Sequence, residues 1–130
     1  MTSIKPFFMF EGAAEAAIGF YASLFPDGKI VSMERYGADG QGKEGTVRLA
    51  VFKLADQTLM AIDSPAEHAF TFTPSVSLFV DCDSEAEFDR LFGALSEGGQ
   101  VLMPAGAHGF SRKFGWCSDR FGVSWQLNWS

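Results

Sequence analysis

"PSVSLFVDCDSEAEFDRLFGALSEGG", residues 74–99, changes its period part-way along, and that change decides the fold. Up to Asp81, apolar Val76, Leu78 and Val80 alternate with Ser75, Ser77, Phe79 and Asp81, which is the two-residue period of a strand. From Asp83 the spacing becomes helical, with Phe88, Leu91, Phe92 and Leu95 along one stripe, and Ser84 followed by Glu87 fits a capping box. Val76, Leu78 and Val80 are therefore expected to pack on the helix through Phe88 and Leu91. That packing turns Ser75, Ser77, Phe79 and Asp81 to the opposite face.

Three further strands follow, over 100–106, 110–118 and 122–129. The last is the clearest: Val123, Trp125, Leu127 and Trp129 fall on one parity, and Ser124, Gln126 and Asn128 on the other. Upstream, the same order has already run once: a strand over 3–10, a helix over 12–25 that stops at the turn Pro26-Asp27-Gly28, then strands over 29–36, 46–54 and 58–64. At an offset of 71 residues Phe20 falls on Leu91, Leu24 on Leu95, Gly28 on Gly99 and Ile30 on Val101. The expected architecture is α+β: one domain, 1–130, built of two tandem βαβββ modules, 3–64 and 74–130. Each sheet would curl around an open concave face with its helix behind, together making a cupped, partly open mixed-sheet barrel. In that arrangement the polar side of the last strand lines a pocket.

The 130 residues are 47% hydrophobic and 20% charged, the balance of a soluble globular chain. Fourteen Phe are the outlier, and they point to a thick core, a generous apolar cavity or a subunit interface. A net charge of -6 without a run of Lys or Arg argues against a nucleic-acid partner or an anionic membrane. No apolar stretch approaches the ~20 residues that span a bilayer, and "MTSIKPFFMFEG" (1–12) lacks the pattern of a secretory leader. A cytoplasmic location is expected. Cys82 and Cys117 form no C-x-x-C pair and read as buried free thiols.

The residues expected to line a ligand site are Ser75, Ser77, Phe79, Ser124, Gln126 and Asn128, with Arg112 at the mouth. His108, placed in a loop beside Gly109, is the candidate general acid or base. Asp63 either closes a turn or faces inward as a cavity carboxylate. Arg112 and Lys113 could meet an anionic group. A Cys117–His108 pair is the remaining nucleophilic option. The glycines of "GADGQGKEG" (37–45) lie between two strands and open no helix, so no motif for S-adenosylmethionine or a nucleotide is present.

The doubled element order, with "PFFMFEGAAEAAIGFYASLFPDGKI", "HAFTFTPSVSLFVDCDSEAEFDRLF", "LSEGGQVLMP" and "FGWCSDRFGVSWQLN", resembles the vicinal oxygen chelate superfamily of glyoxalase I, bleomycin-binding proteins and extradiol dioxygenases. Within it the chain is similar to the PhnB-like group, whose members are often labelled demethylubiquinone methyltransferases. The resemblance implies a homodimer and a pocket for a small organic molecule. Metal-using members place His or Gln on the first strand, His at the start of the fifth, and Glu on the fourth and eighth. This chain offers no His on the first strand, Ser75 at the start of the fifth, Asp63 on the fourth and Gln126 on the eighth. Such a set predicts at most a weak divalent ion, on Asp63, Gln126 and His68 or His108. Three functions stay open: a small-molecule binder of unknown reaction, a metal-dependent lyase, isomerase or resistance enzyme with a degenerate site, and a sequestering protein without chemistry.

Overall fold

A computed structural model describes all residues 1–130. The chain forms two compact units, Met1–Ala69 and Phe70–Ser130. Unit 1 runs β1 (Phe7–Phe10), α1 (Ala14–Leu24), β2 (Lys29–Arg35), β3 (Val47–Leu54) and β4 (Gln57–Asp63). Its sheet has the order β1-β4-β3-β2, with β1 parallel to β4 and the other pairs antiparallel. Unit 2 repeats this as β5 (Ser77–Asp81), α2 (Glu85–Ser96), β6 (Gln100–His108), β7 (Ser111–Ser118) and β8 (Ser124–Trp129), in the order β5-β8-β7-β6. The first and last strands of each unit are the parallel pair, because the helix intervenes and returns the chain to the far edge. No helix is long and apolar enough to cross a membrane.

Each sheet has one face sealed by its own helix. In unit 1, Ala50, Phe52, Leu59 and Ala61 are buried with Ala14, Ala17, Ile18 and Tyr21 of α1. In unit 2, Trp125 and Leu127 are buried with Phe88, Leu91 and Leu95 of α2. The ring of Phe92 lies over Gly115, where a Cβ would come within 2.6 Å of it. Glycine there lets the helix sit close to β7.

The helices begin differently. Ser84 Oγ accepts the Glu87 N–H at 3.1 Å while Glu87 Oε1 accepts the Asp83 N–H at 2.8 Å, so α2 has its box. Ala13, at the start of α1, offers no side-chain cap. Its turn is closed instead by Asp63, from the far end of the unit.

The repeat shows most plainly at Gly28 and Gly99, each one residue ahead of its module's second strand. The Gly28 N–H donates to Phe25 O at 3.1 Å and the Gly99 N–H to Ser96 O at 3.0 Å, a bond repeated at the 71-residue offset.

Two local expectations need correction. Ser75 does not start β5, which begins at Ser77; Ser75 sits in the preceding turn, exposed, with its Oγ 2.7 Å from Thr73 Oγ. His108 is not in a loop but is the last residue of β6, paired with Ser111. Strand β6 reaches that far through three register shifts and Pro104, which its edge position tolerates.

Candidate functional site: the open face of the second sheet

In unit 2 the face turned away from α2 gathers most of the expected ligand-side residues. Registered pairing puts Ser77 beside Ser124, Phe79 beside Gln126 and Asp81 beside Asn128 on β5 and β8. On β7, Phe114 lies opposite Asn128, Trp116 opposite Gln126 and Ser118 opposite Ser124. Paired residues share a face, so these side chains form one surface.

Its polar half is a connected network. The Trp116 Nε1–H donates to Ser124 Oγ at 2.8 Å, Ser124 Oγ lies 2.6 Å from Ser77 Oγ, and Gln126 Nε2 donates to Ser77 Oγ at 3.3 Å. Asn128 Nδ2 donates to Asp81 Oδ1 at 3.0 Å and to Ser130 Oγ at 3.1 Å. The apolar half is aromatic. Phe114 is the hub, with ring centroids at 6.4 Å to Phe79, 5.1 Å to Phe110 and 5.6 Å edge-on to His108. Phe110 also stacks on His108 at 5.9 Å. Phe79 and Phe110 stay 55% and 67% exposed, so the cluster presents ring faces to its surroundings.

Other candidates fall elsewhere. The exposed Arg112 guanidinium lies 4.1 Å over the Trp129 ring and donates to Ser130 O. Lys113 points the other way: Nζ donates to Asp89 at 2.7 Å and Glu85 at 3.2 Å, both on α2, and these bonds hold its ammonium above the ordinary lysine range. Phe8 and Phe10 share the helix-side face of unit 1 with Ala61 and Asp63. His68 pairs with its own connector, Nε2 lying 2.8 Å from Ser64 Oγ.

Asp63 is 2% exposed and fully engaged. Oδ1 accepts the N–H groups of Gly12 at 2.7 Å and Ala14 at 3.0 Å, and Oδ2 accepts that of Val47 at 2.9 Å. The carboxylate thereby serves the N-terminus of α1, where a negative charge is favoured. The alternation Leu59, Ala61, Asp63 along β4 was the sequence signal that it faces the helix side. Unit 2 has a comparable carboxylate that sequence reasoning missed. Asp119 Oδ1 accepts from Phe121 N at 2.8 Å and Val123 N at 3.1 Å, and Oδ2 from Trp125 Nε1 at 2.8 Å. The stretch "DRFGVSW" (119–125) is thus a turn tied at its first residue.

These donor sets do not fit a divalent ion. Asp63 has spent both oxygens on backbone N–H groups, and no three His, Cys, Asp or Glu side chains gather to hold an ion.

The thiols are equally committed. Cys117 lies on the helix-side face of β7, opposite in parity to Trp116 and Phe114, and burial, with Asp119 nearby, pushes it up to about 11. Burial pushes Cys82 up to about 12. Both stay protonated at neutral pH, and the thiol is a poor nucleophile. Iodoacetamide at pH 8 is expected to leave both unmodified in the folded protein and to alkylate both in denaturant, read by intact mass; rapid labelling of folded Cys117 would contradict this. Unfolded thiols ionise around their ordinary 9.0, below the folded values, so this contribution to stability is intact below pH 9 and is lost as pH rises toward 11.

The doubled βαβββ order, with two four-stranded mixed sheets each backed by its own helix, defines the class: a chain of the glyoxalase/bleomycin-resistance fold. By its sequence it belongs to the family described as 3-demethylubiquinone-9 3-methyltransferase, whose model matches residues 2–128. It is similar in structure to the PhnB protein from Bacillus cereus, at 52% identity and TM-score 0.97 over 99% of this chain and 100% of that one. Protein PA1353 from Pseudomonas aeruginosa is 32% identical, TM-score 0.88, over 100% and 98% of the two chains. A glyoxylase/bleomycin resistance protein/dioxygenase domain from Frankia sp. EAN1pec, 12% identical with TM-score 0.67 over 100% and 93%, shares the fold. No protein of curated function matches the chain. The family's methyltransferase description finds no Gly-rich strand-to-helix turn in this chain: the glycine-rich segment 37–45 joins antiparallel β2 and β3.

Proposed function

We propose that the protein binds a small, partly aromatic or apolar organic molecule against the open face of its second sheet. The observation that carries this reading is the aromatic cluster of Phe79, Phe110, Phe114 and His108, which leaves two rings open beside the Ser77–Ser124–Gln126 network. Apolar walls with a few placed polar groups are the general chemistry of a small-molecule site. Binding is the function argued, because Asp63, the one carboxylate the sequence offered to a cavity, is taken up by backbone N–H groups. The reading takes the working unit as a cytoplasmic homodimer, supported by exposed Ile30 and Val31 on edge strand β2 and Val101 on edge strand β6.

The test is a fluorescence titration with 2-naphthol, with light scattering on the same sample expected to read twice the 14.2 kDa chain. Saturable binding is expected, weakened about tenfold or more by Phe79→Asp with an unchanged melting temperature. Phe79 is half-exposed, so that change leaves the core intact. Equal binding by both proteins would overturn the placement of the site.

A further inference from the structure

Two buried side-chain atoms, Asn128 Oδ1 and His108 Nε2, have no hydrogen-bond partner. Both belong to the open face of the second sheet and both adjoin Phe114: Asn128 lies opposite it in the β7–β8 pairing, and the His108 ring meets it edge-on. Asn128 is only 8% exposed, so its carbonyl does not turn to solvent. Its orientation is settled by its neighbours. The Asp81 carboxylate can only accept, so the atom facing it must be the amide nitrogen, which also reaches Ser130 Oγ. The carbonyl oxygen is thereby fixed as an acceptor without a donor, a state buried groups rarely keep.

We infer that the ligand of this face is a planar aromatic molecule carrying a hydrogen-bond donor, an O–H or aryl N–H, which is given to Asn128 Oδ1 while the ring packs on Phe114. This inference rests on the binding reading above and adds the chemistry the ligand must bring. His108 Nε2, able to accept or to donate according to tautomer, is the second polar contact. Both atoms are closed off in the free protein, so a donor reaches them only as the surrounding side chains shift. Asn128 and His108 act as binding groups, and no covalent step is assigned to them.

The test compares 2-naphthol with 2-methoxynaphthalene, nearly the same ring system with the donor methylated. The wild-type chain is expected to prefer the naphthol about tenfold or more, since the ether leaves the buried acceptor unpaired. Asn128→Ala is expected to bring the ratio to about one by weakening the naphthol selectively. The wild-type comparison needs no variant, so a poorly folding Asn128→Ala leaves it decisive. Equal affinity of the two probes for the wild type would overturn the donor requirement and leave the binding reading standing. Failure of both probes to bind would overturn the binding reading, and this inference with it.

Discussion

Gly99→Ala and Gly28→Ala are each expected to lower the unfolding free energy by about 3 kcal/mol or more, a large share of the 5–15 kcal/mol typical of a domain. The reason is geometric. A Cβ on Gly99 would stand 2.0 Å from Ser118 O and 2.7 Å from the Asp119 carbonyl carbon. On Gly28 it would stand 2.1 Å from Ala22 O and 2.8 Å from the carbon of the same carbonyl. These are backbone atoms, and they cannot rotate aside as a flexible side chain could. At both places the chain leaves a helix and turns at once into an edge strand, so relief would mean moving the helix end or the strand. Gly93→Ala is the matched control. It lies inside α2 with nothing within 4 Å of its would-be Cβ, and alanine there is expected to stabilise by about 0.5–1 kcal/mol. Denaturant unfolding of the three variants checks the set; Gly99→Ala within 1 kcal/mol of the parent, roughly the typical single-mutant loss, would contradict it.

Asp63→Asn, almost the same shape, is expected to cost about 3 kcal/mol. The carboxylate accepts three N–H groups, and an amide has only one oxygen. If that oxygen keeps Gly12 and Ala14, the new NH₂ faces the Val47 N–H, donor against donor, in a buried site. By contrast Ser84→Ala, which removes the exposed cap of α2, is expected to cost about 1 kcal/mol. Two helices that occupy the same place in the repeat should thus respond unequally, because one start is capped locally and the other from 49 and 51 residues away. The comparison also separates a structural Asp63 from a metal ligand. A ligand carboxylate lost to Asn would leave the metal-free protein about as stable as before and abolish stabilisation by added divalent ions. Unchanged unfolding of Asp63→Asn in chelator would contradict the capping role.

Much of the fold was legible in residue order, and what was not has physical reasons. The helices and the repeat could be read because local periods carry them: Phe88, Leu91 and Leu95 lie on a stripe, and all three are fully buried. The parity of β8 likewise placed Ser124, Gln126 and Asn128 on the face opposite Trp125 and Leu127. His108 escaped because the strand read over 100–106 was ended before "AHG" (107–109), whereas β6 continues to His108 by slipping register against β7. Ser75 was drawn into β5 by an alternation that runs past the first paired residue, Ser77. Trp116 was missed as the donor that anchors Ser124, a contact set by cross-strand pairing rather than by neighbours in sequence. The roles of Asp63 and Asp119 needed the fold itself, since most of their partners are backbone N–H groups, which leave no mark on composition. Asp119 carries the same lesson for "DRFGVSWQLN" (119–128), which closes the last of the stretches that carry the family resemblance. Its Asp holds a turn and the indole of Trp125, so it stabilises the sheet that bears the candidate site.

The most direct measurement is a ¹H–¹⁵N correlation titration of the labelled chain with 2-naphthol. Shifts concentrated at 77–81, 106–116 and 124–128, saturating with one apparent affinity, are the predicted result. Shifts confined to Met1–Ala69, or none at saturating probe, would contradict a ligand site on the open face of the second sheet.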